Sequence, residues 1–205
     1  MYNYEDALLA QGFENIAGCD EVGRGPLAGP LVVAAVILDP KKKIVGLSDS
    51  KKLSAKKRHQ LSNEIYKHAK NVACAIISVD EVDTLNVYQA SKNGMYRAIE
   101  KLENADYVLS DAMVLDALSL PHQALIKGDN LSASIAAASI IAKVKRDALM
   151  VELAEKYPNY GFAKHKGYPT KQHLKALREH GVSAVHRKSF KPVKKLIETQ
   201  MKLDV

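Results

Sequence analysis

The chain has 205 residues, 47% hydrophobic and 26% charged, which is enough for one full core with a small appended element. Thirty basic against twenty-three acidic residues leave a net charge of +7, a balance that suits a polyanionic partner. The longest apolar runs, 31–38 and 134–142, are too short for a bilayer. The two cysteines make no metal-binding spacing, and the N-terminus lacks a signal-peptide pattern, so the expectation is a cytoplasmic protein that makes no membrane contact.

In chain order, Tyr4–Ala10 reads as a short helix stopped by Gly12, and Glu14–Asp20 as a first strand. Leu31–Leu38 is apolar throughout, as a strand buried on both faces is. After the turn at Asp39-Pro40, Ser54 caps a lysine-rich helix running to about Lys70. Val72–Val79 is a third strand, near enough in sequence for an antiparallel meander with the first two. Residues from about Asp80 to Leu102 read as helical, with Val82, Leu85, Tyr88, Met95, Ile99 and Leu102 spaced for an inward face. Tyr107–Leu109 is a strand stopping at Ser110-Asp111, and His122–Ile126 another, ending at Lys127-Gly128-Asp129. Ser132 caps a long helix to about Tyr157, whose three alanines at 136–138 permit close approach to a sheet. Past Pro158 lie a Gly/Tyr/His/Lys segment and two short basic helices, Thr170–His180 and Pro192–Met201. The organisation expected is an α/β core over residues 1–157 and a C-terminal helical, substrate-binding appendage over 158–205.

Three of these strands end in acid: Asp20 and Glu21 on the first, Asp111 on the fourth, Asp129 on the fifth. Sites in α/β sheets form at strand ends. Four carboxylates meeting there must protonate or hold cations, and an all-oxygen donor set favours Mg²⁺ or Mn²⁺. Two such ions about 3.5–4 Å apart would activate a water and steady the leaving oxygen of a phosphodiester. Adjacent residues of a strand point to opposite faces, so Asp20 and Glu21 can share a site only where the strand ends or bends; Gly23-Arg24-Gly25 supplies a bend and a cation. Asp129 taken alone reads as a turn residue; with the other three acids beside Arg24, it reads as part of a phosphoryl-transfer site.

The words at 20–30 (Asp-Glu-Val-Gly-Arg-Gly-Pro-Leu-Ala-Gly-Pro), 49–53 (Asp-Ser-Lys-Lys-Leu), 127–129 (Lys-Gly-Asp), 134–143 and 165–170 (His-Lys-Gly-Tyr-Pro-Thr) closely resemble bacterial ribonuclease HII, in that family's order. Gly-Arg-Gly, where type HIII usually has Gly-Lys-Gly, favours type HII. The resemblance implies an RNase H-like fold, a mixed five-stranded sheet flanked by helices with a C-terminal helical appendage. It implies hydrolysis of RNA in RNA–DNA hybrids, and cleavage on the 5′ side of single ribonucleotides in duplex DNA, leaving a 3′-hydroxyl and a 5′-phosphate. It also makes Asp20, Glu21, Asp111 and Asp129 the catalytic, metal-binding acids, with Mn²⁺ or Mg²⁺ as cofactor. Gly23, Arg24, Gly25 and Tyr168 would read the 2′-hydroxyl that marks RNA, while Lys51 and Lys52 would meet substrate phosphates.

Lys164, His165 and Lys166 stand beside Tyr168 in positions to grip the backbone. The segment His186–Lys191, with Lys194 and Lys195, reads as a phosphate-tracking stripe, so binding should weaken steeply with salt. Lys56, Lys57 and Arg58 read as a solvated helix face, and His165 and His186 as duplex-contacting or structural. A monomer is expected. Two other readings use the same residues: a DNA strand-transfer or resolvase enzyme of the same superfold, which would not need Gly-Arg-Gly and Tyr168, and a non-catalytic duplex-binding module, whose acids would only repel the duplex.

Overall fold

Leu31–Leu38 forms a strand with all eight residues buried, so an apolar run that no single face could use is buried on both. A computed structural model, describing residues 1–203, places it in a five-stranded sheet. In chain order the elements are α1 (Asn3–Ala10), β1 (Ile16–Val22), β2 (Leu31–Leu38), α2 (Ala55–His68), β3 (Ala69–Ile77), α3 (Val79–Leu85), α4 (Val87–Ile99), β4 (Tyr107–Asp111), β5 (His122–Leu125), α5 (Ala133–Lys156), α6 (Phe162–His165), α7 (Lys171–His180) and α8 (Lys191–Leu203). The sheet order is β3-β2-β1-β4-β5; β1 pairs antiparallel with β2 and parallel with β4, and β4 parallel with β5. This is the mixed five-stranded sheet that the sequence implies. None of the described helices is long and apolar enough to cross a membrane.

The chain divides into two compact units: residues 1–22, 32–76 and 91–144 form the first, and 23–31, 77–90 and 145–205 the second. The second therefore contains the whole 158–205 segment together with two earlier stretches and the end of α5. In the first unit Leu8, Ile16, Leu109, Leu125 and Ile135 make one core. In the second, Met150, Tyr160, Phe162 and Ala176 pack around Ala28, while Leu177 and Val193 pack around Leu27. Phe190 packs against the latter cluster, as an anchor residue would.

Two local departures have clear causes. The helix expected over 80–102, with Tyr88 facing inward, leaves Tyr88 exposed and is broken at Asn86, which takes a left-handed φ of 65°. Its side chain accepts from the amides of Tyr88 and Gln89, capping α4, while Ser78 and Glu81 form a capping box that starts α3. Strand β1 also runs past Asp20 to Val22, so Asp20 and Glu21 both sit inside the ladder, opposite Ala34 and Val33.

Gly18, in the middle of β1, lets the first turn of α5 rest on the sheet. A Cβ at this position would strike the Ser134 carbonyl group and the Ile135 amide nitrogen, both backbone and unable to swing away. Glu5, buried on α1, accepts from Ser132 Oγ (2.5 Å) and the Ser134 amide (2.8 Å) and so caps the same helix end with a carboxylate. Gly18→Ala should cost about 3 kcal/mol or more through this overpacking, read as a lowered midpoint in chemical denaturation; a wild-type midpoint would show that α5 is not seated on Gly18.

Candidate active site

In the first unit, the parallel ladder sets Cys19 beside Ser110 as its last pair, which brings the next residues, Asp20 and Asp111, level where the β1–β4 pairing ends. Past β5 the chain turns through Lys127, held left-handed at φ 57°, into the 3₁₀ turn Gly128–Asn130 that carries Asp129. Oxygens of Asp20, Asp111 and Asp129 lie within 4.8 Å of one another. Asp20 and Asp129 are buried and Asp111 is half-buried. Hydrogen bonds aim each group: Asp111 Oδ1 accepts from the Gly128 amide (2.7 Å), Asp129 Oδ1 from Asn130 Nδ2 (2.7 Å), and Asp20 Oδ1 from the Glu21 amide (2.7 Å). Gly128 is tightly packed: a Cβ there would come within 2.6 Å of Ile135 Cδ1, which would have to move aside, and 3.4 Å of the Asp111 carboxylate.

Three carboxylates so close repel by roughly 3–4 kcal/mol per pair at an effective dielectric near 20. Burial, then the charges of Glu21, Asp111 and Asp129, push the Asp20 carboxyl well above the usual carboxylate range. Burial, Asp49 and Asp111 raise Asp129, against the pull of the Asn130 amide and Lys51. Lys51 feels the reciprocal field: burial disfavours its charge, yet Asp20, Asp49, Asp129 and Asp111 raise its pKa. The groove beside the acids is lined by Asp49, Lys51, Lys52, Asp111, Asp129 and Asn130. Asp49 Oδ1 accepts from the Lys51 amide (2.9 Å), and Lys52 Nζ donates to Asn130 Oδ1. Arg58, expected on a solvated face, instead donates to the Ser50 (2.9 Å) and Leu53 carbonyls and holds this turn from behind.

The cluster contains three of the four expected acids. Because β1 stays extended through Val22, the Glu21 side chain leaves from the opposite face to Asp20. Glu21 is near enough to raise Asp20 electrostatically but is not among the clustered oxygens.

In the second unit, residues 23–30 form a loop held by two arginines: Arg146, which the sequence reading missed, and Arg187, which it placed on the basic stripe. Arg146, fully buried, donates to the carbonyls of Pro30 (Nε, 2.9 Å), Lys166 (3.0 Å) and Ala28 (3.2 Å). Arg187, also fully buried, donates twice to Gly29 (3.1 and 2.9 Å) and once to Arg24 (3.2 Å). Burial lowers both pKa values, that of Arg187 to about 9. Gly23 (φ +110°) passes so close to Arg146 that a Cβ would strike Nε. The Leu27 amide donates to the Gly167 carbonyl (2.8 Å), tying the loop to the next word of sequence. There Tyr168 is 38% exposed, its Cε1 3.6 Å from where a Gly25 Cβ would be, and the Arg146 guanidinium lies 6.0 Å from its ring centre.

Arg24 and Gly25 are exposed, and Lys166 is half-buried, its Nζ bonded to the Ala163 carbonyl (2.6 Å). The expected basic stripe is thinner than it reads, since His186 and Arg187 are fully buried; Lys188, Lys191, Lys194 and Lys195 are exposed. His165 is buried too, so neither histidine is a surface contact. Arg146 left one signal in the sequence: it is in phase with Ala138, Ala142 and Met150, an apolar stripe in which an arginine is out of place.

A family profile described as Ribonuclease HII matches residues 17–193. Ribonuclease HII of Bacillus licheniformis is 54% identical over 195 residues, covering 95% of this chain and 76% of that protein. Ribonuclease HII of Halalkalibacterium halodurans is 51% identical over 201 residues, covering 98% and 76%. Among solved structures, ribonuclease H2 from Pyrococcus horikoshii superposes with a TM-score of 0.81 at 25% identity, over 92% of this chain and 99% of that one. With its motif words, its sheet order and a profile match that runs through both units, this chain belongs to the ribonuclease HII family.

Proposed function

We propose that this chain is a metal-dependent endoribonuclease that hydrolyses the RNA strand of RNA–DNA hybrids and cuts 5′ of single ribonucleotides embedded in duplex DNA. The products are a 3′-hydroxyl and a 5′-phosphate. Family membership supports the reaction class, and the observation that carries the reading is the cluster of Asp20, Asp111 and Asp129.

The cluster fits a hard divalent cation: its donors are all carboxylate oxygens, two of the three acids are buried, and their mutual repulsion is relieved by positive charge. Asp20, Asp111 and Asp129 would hold Mg²⁺ or Mn²⁺, with Glu21 the fourth candidate ligand. Such ions, when bound, supply Lewis acidity that favours the attacking hydroxide and the departing oxygen. Lys51 and Lys52 offer cations to the phosphate beside the acids. The Gly23-Arg24-Gly25 backbone and the Tyr168 hydroxyl read the sugar, with Arg146 and Arg187 fixing the loop from beneath. Lys166 tracks the adjoining backbone. All three clustered carboxylates come from one chain, which suits a monomer. The pairing of Gly25 with Tyr168 favours this reading over a DNA strand-transfer enzyme, and the acids argue against a module that only binds.

Asp111→Asn should fold as the wild type and lose cleavage of a DNA duplex carrying one ribonucleotide by about a thousandfold or more, the several kcal/mol that metal-borne charge stabilisation is worth. Full activity in gel-resolved assays with Mg²⁺ or Mn²⁺ would remove Asp111 from the site. Tyr168→Ala should lower kcat/KM on that duplex by about a hundredfold, while filter binding of all-DNA duplex stays near wild type. An equal loss of both would make Tyr168 a general duplex contact. Arg146→Met leaves three carbonyls unmatched and should cost about 3 kcal/mol in denaturant unfolding; an unchanged midpoint would show the loop to be self-supporting.

A further inference from the structure

Behind Tyr168 lie three buried histidines, two of which form a chain of hydrogen bonds while the third stacks on it. His186 Nδ1 faces the Ser183 amide (3.0 Å) and the Ser183 hydroxyl (2.7 Å). Its Nε2 lies 3.1 Å from His173 Nε2, and His173 Nδ1 lies 3.0 Å from the Tyr168 carbonyl. Only one proton arrangement satisfies this chain. A carbonyl can only accept, so His173 carries its proton on Nδ1 and accepts on Nε2. A backbone amide can only donate, so His186 accepts on Nδ1 and gives its Nε2 proton to His173. His165, stacked on His173 at 4.5 Å, follows the same logic: it accepts from the Gly167 amide on Nδ1 (3.2 Å) and donates from Nε2 to the Tyr160 carbonyl (2.7 Å).

We infer that His186 and His173 are positioning residues: as a neutral relay from Ser183 they fix the Tyr168 carbonyl, and through it the ring that meets the ribose. This deepens, and rests on, the role given to Tyr168 above. His165 braces the same turn from the Gly167 side. A second proton on any of the three rings would meet an N–H donor across the existing bond, so the relay exists only in the neutral state. Burial lowers all three pKa values, helped at His186 by His173 and at His173 by His165, and that of His186 falls to about 4. The other groups facing the rings are the aromatic rings of Tyr160 and Phe162; the neighbouring Arg187 guanidinium is turned to the Gly29 and Arg24 carbonyls. Because the native pKa lies below the unfolded value near 6.5, the relay's contribution to stability is complete above that pH and is lost as pH falls from about 6.5 toward 4.

Long-range ¹H–¹⁵N spectra of the wild type at pH 7 should show three neutral imidazoles, with Nδ1–H at His173 and Nε2–H at His165 and His186. A charged ring, or the opposite tautomer at His173 or His186, overturns the relay. His173→Leu should lower kcat/KM on the single-ribonucleotide duplex by about tenfold to a hundredfold, and His173→Asn, whose amide can still donate to the Tyr168 carbonyl, should restore most of it. In a Tyr168→Ala background, His173→Leu should cost less than about twofold more, since coupled residues are not additive. An equal loss in both backgrounds would make His173 merely structural and overturn the proposal. Should Tyr168→Ala cut normally, the sugar-reading role falls, and the nitrogen spectra alone decide whether the relay exists.

Discussion

The constraint on which the first unit turns is electrostatic: three carboxylates are brought to one end of a sheet where they repel one another. Nothing in the acids favours this; the surrounding backbone imposes it. The parallel β1–β4 register sets Asp20 level with Asp111, the Gly128 turn delivers Asp129, and Gly18 seats the start of α5 on the sheet. Lys51 answers the negative field from the rim, where its raised pKa is the counterpart of the raised Asp20 and Asp129. Carboxylates that the backbone holds this close favour a bound cation between them.

The second unit solves a different problem, holding an irregular, glycine-rich loop in one shape. Six hydrogen bonds from the buried guanidiniums of Arg146 and Arg187 reach five carbonyls, four of them on residues 24–30. Planar guanidiniums with several fixed donors suit this task better than ammonium groups would. The histidine relay adds a further anchor at Tyr168. The acid cluster and the loop held by Arg146 and Arg187 thus belong to separate compact units, while Val22 and Gly23 are consecutive residues of the chain.

Much of this was legible in the sequence, and the failures are instructive. Leu31–Leu38 was readable because a strand buried on both faces needs no periodicity, and Ser54 and Ser132 marked helix starts through their capping chemistry. The acids at strand ends were visible as acids after apolar runs. The parallel register that brings Asp20 and Asp111 level was not, because pairing is a long-range property. Glu21 stands outside the clustered oxygens for a local reason: the expected bend lies beyond it, and β1 stays extended to Val22 and alternates the two side chains. Asn86 escaped because an asparagine inside an amphipathic pattern gives no warning that it will adopt φ 65°. His186 and Arg187 resembled a basic surface because charge in a sequence does not say which way it faces.

The central claim, that enforced carboxylate repulsion is what a divalent cation relieves, is most directly tested by thermal melting of the wild type and Asp20→Asn, each with chelator and with Mg²⁺. The account predicts that Asp20→Asn melts higher than the wild type in chelator, and that Mg²⁺ raises the wild-type midpoint while leaving the variant nearly unmoved. A variant less stable than the wild type in chelator, with Mg²⁺ stabilising both equally, would contradict it.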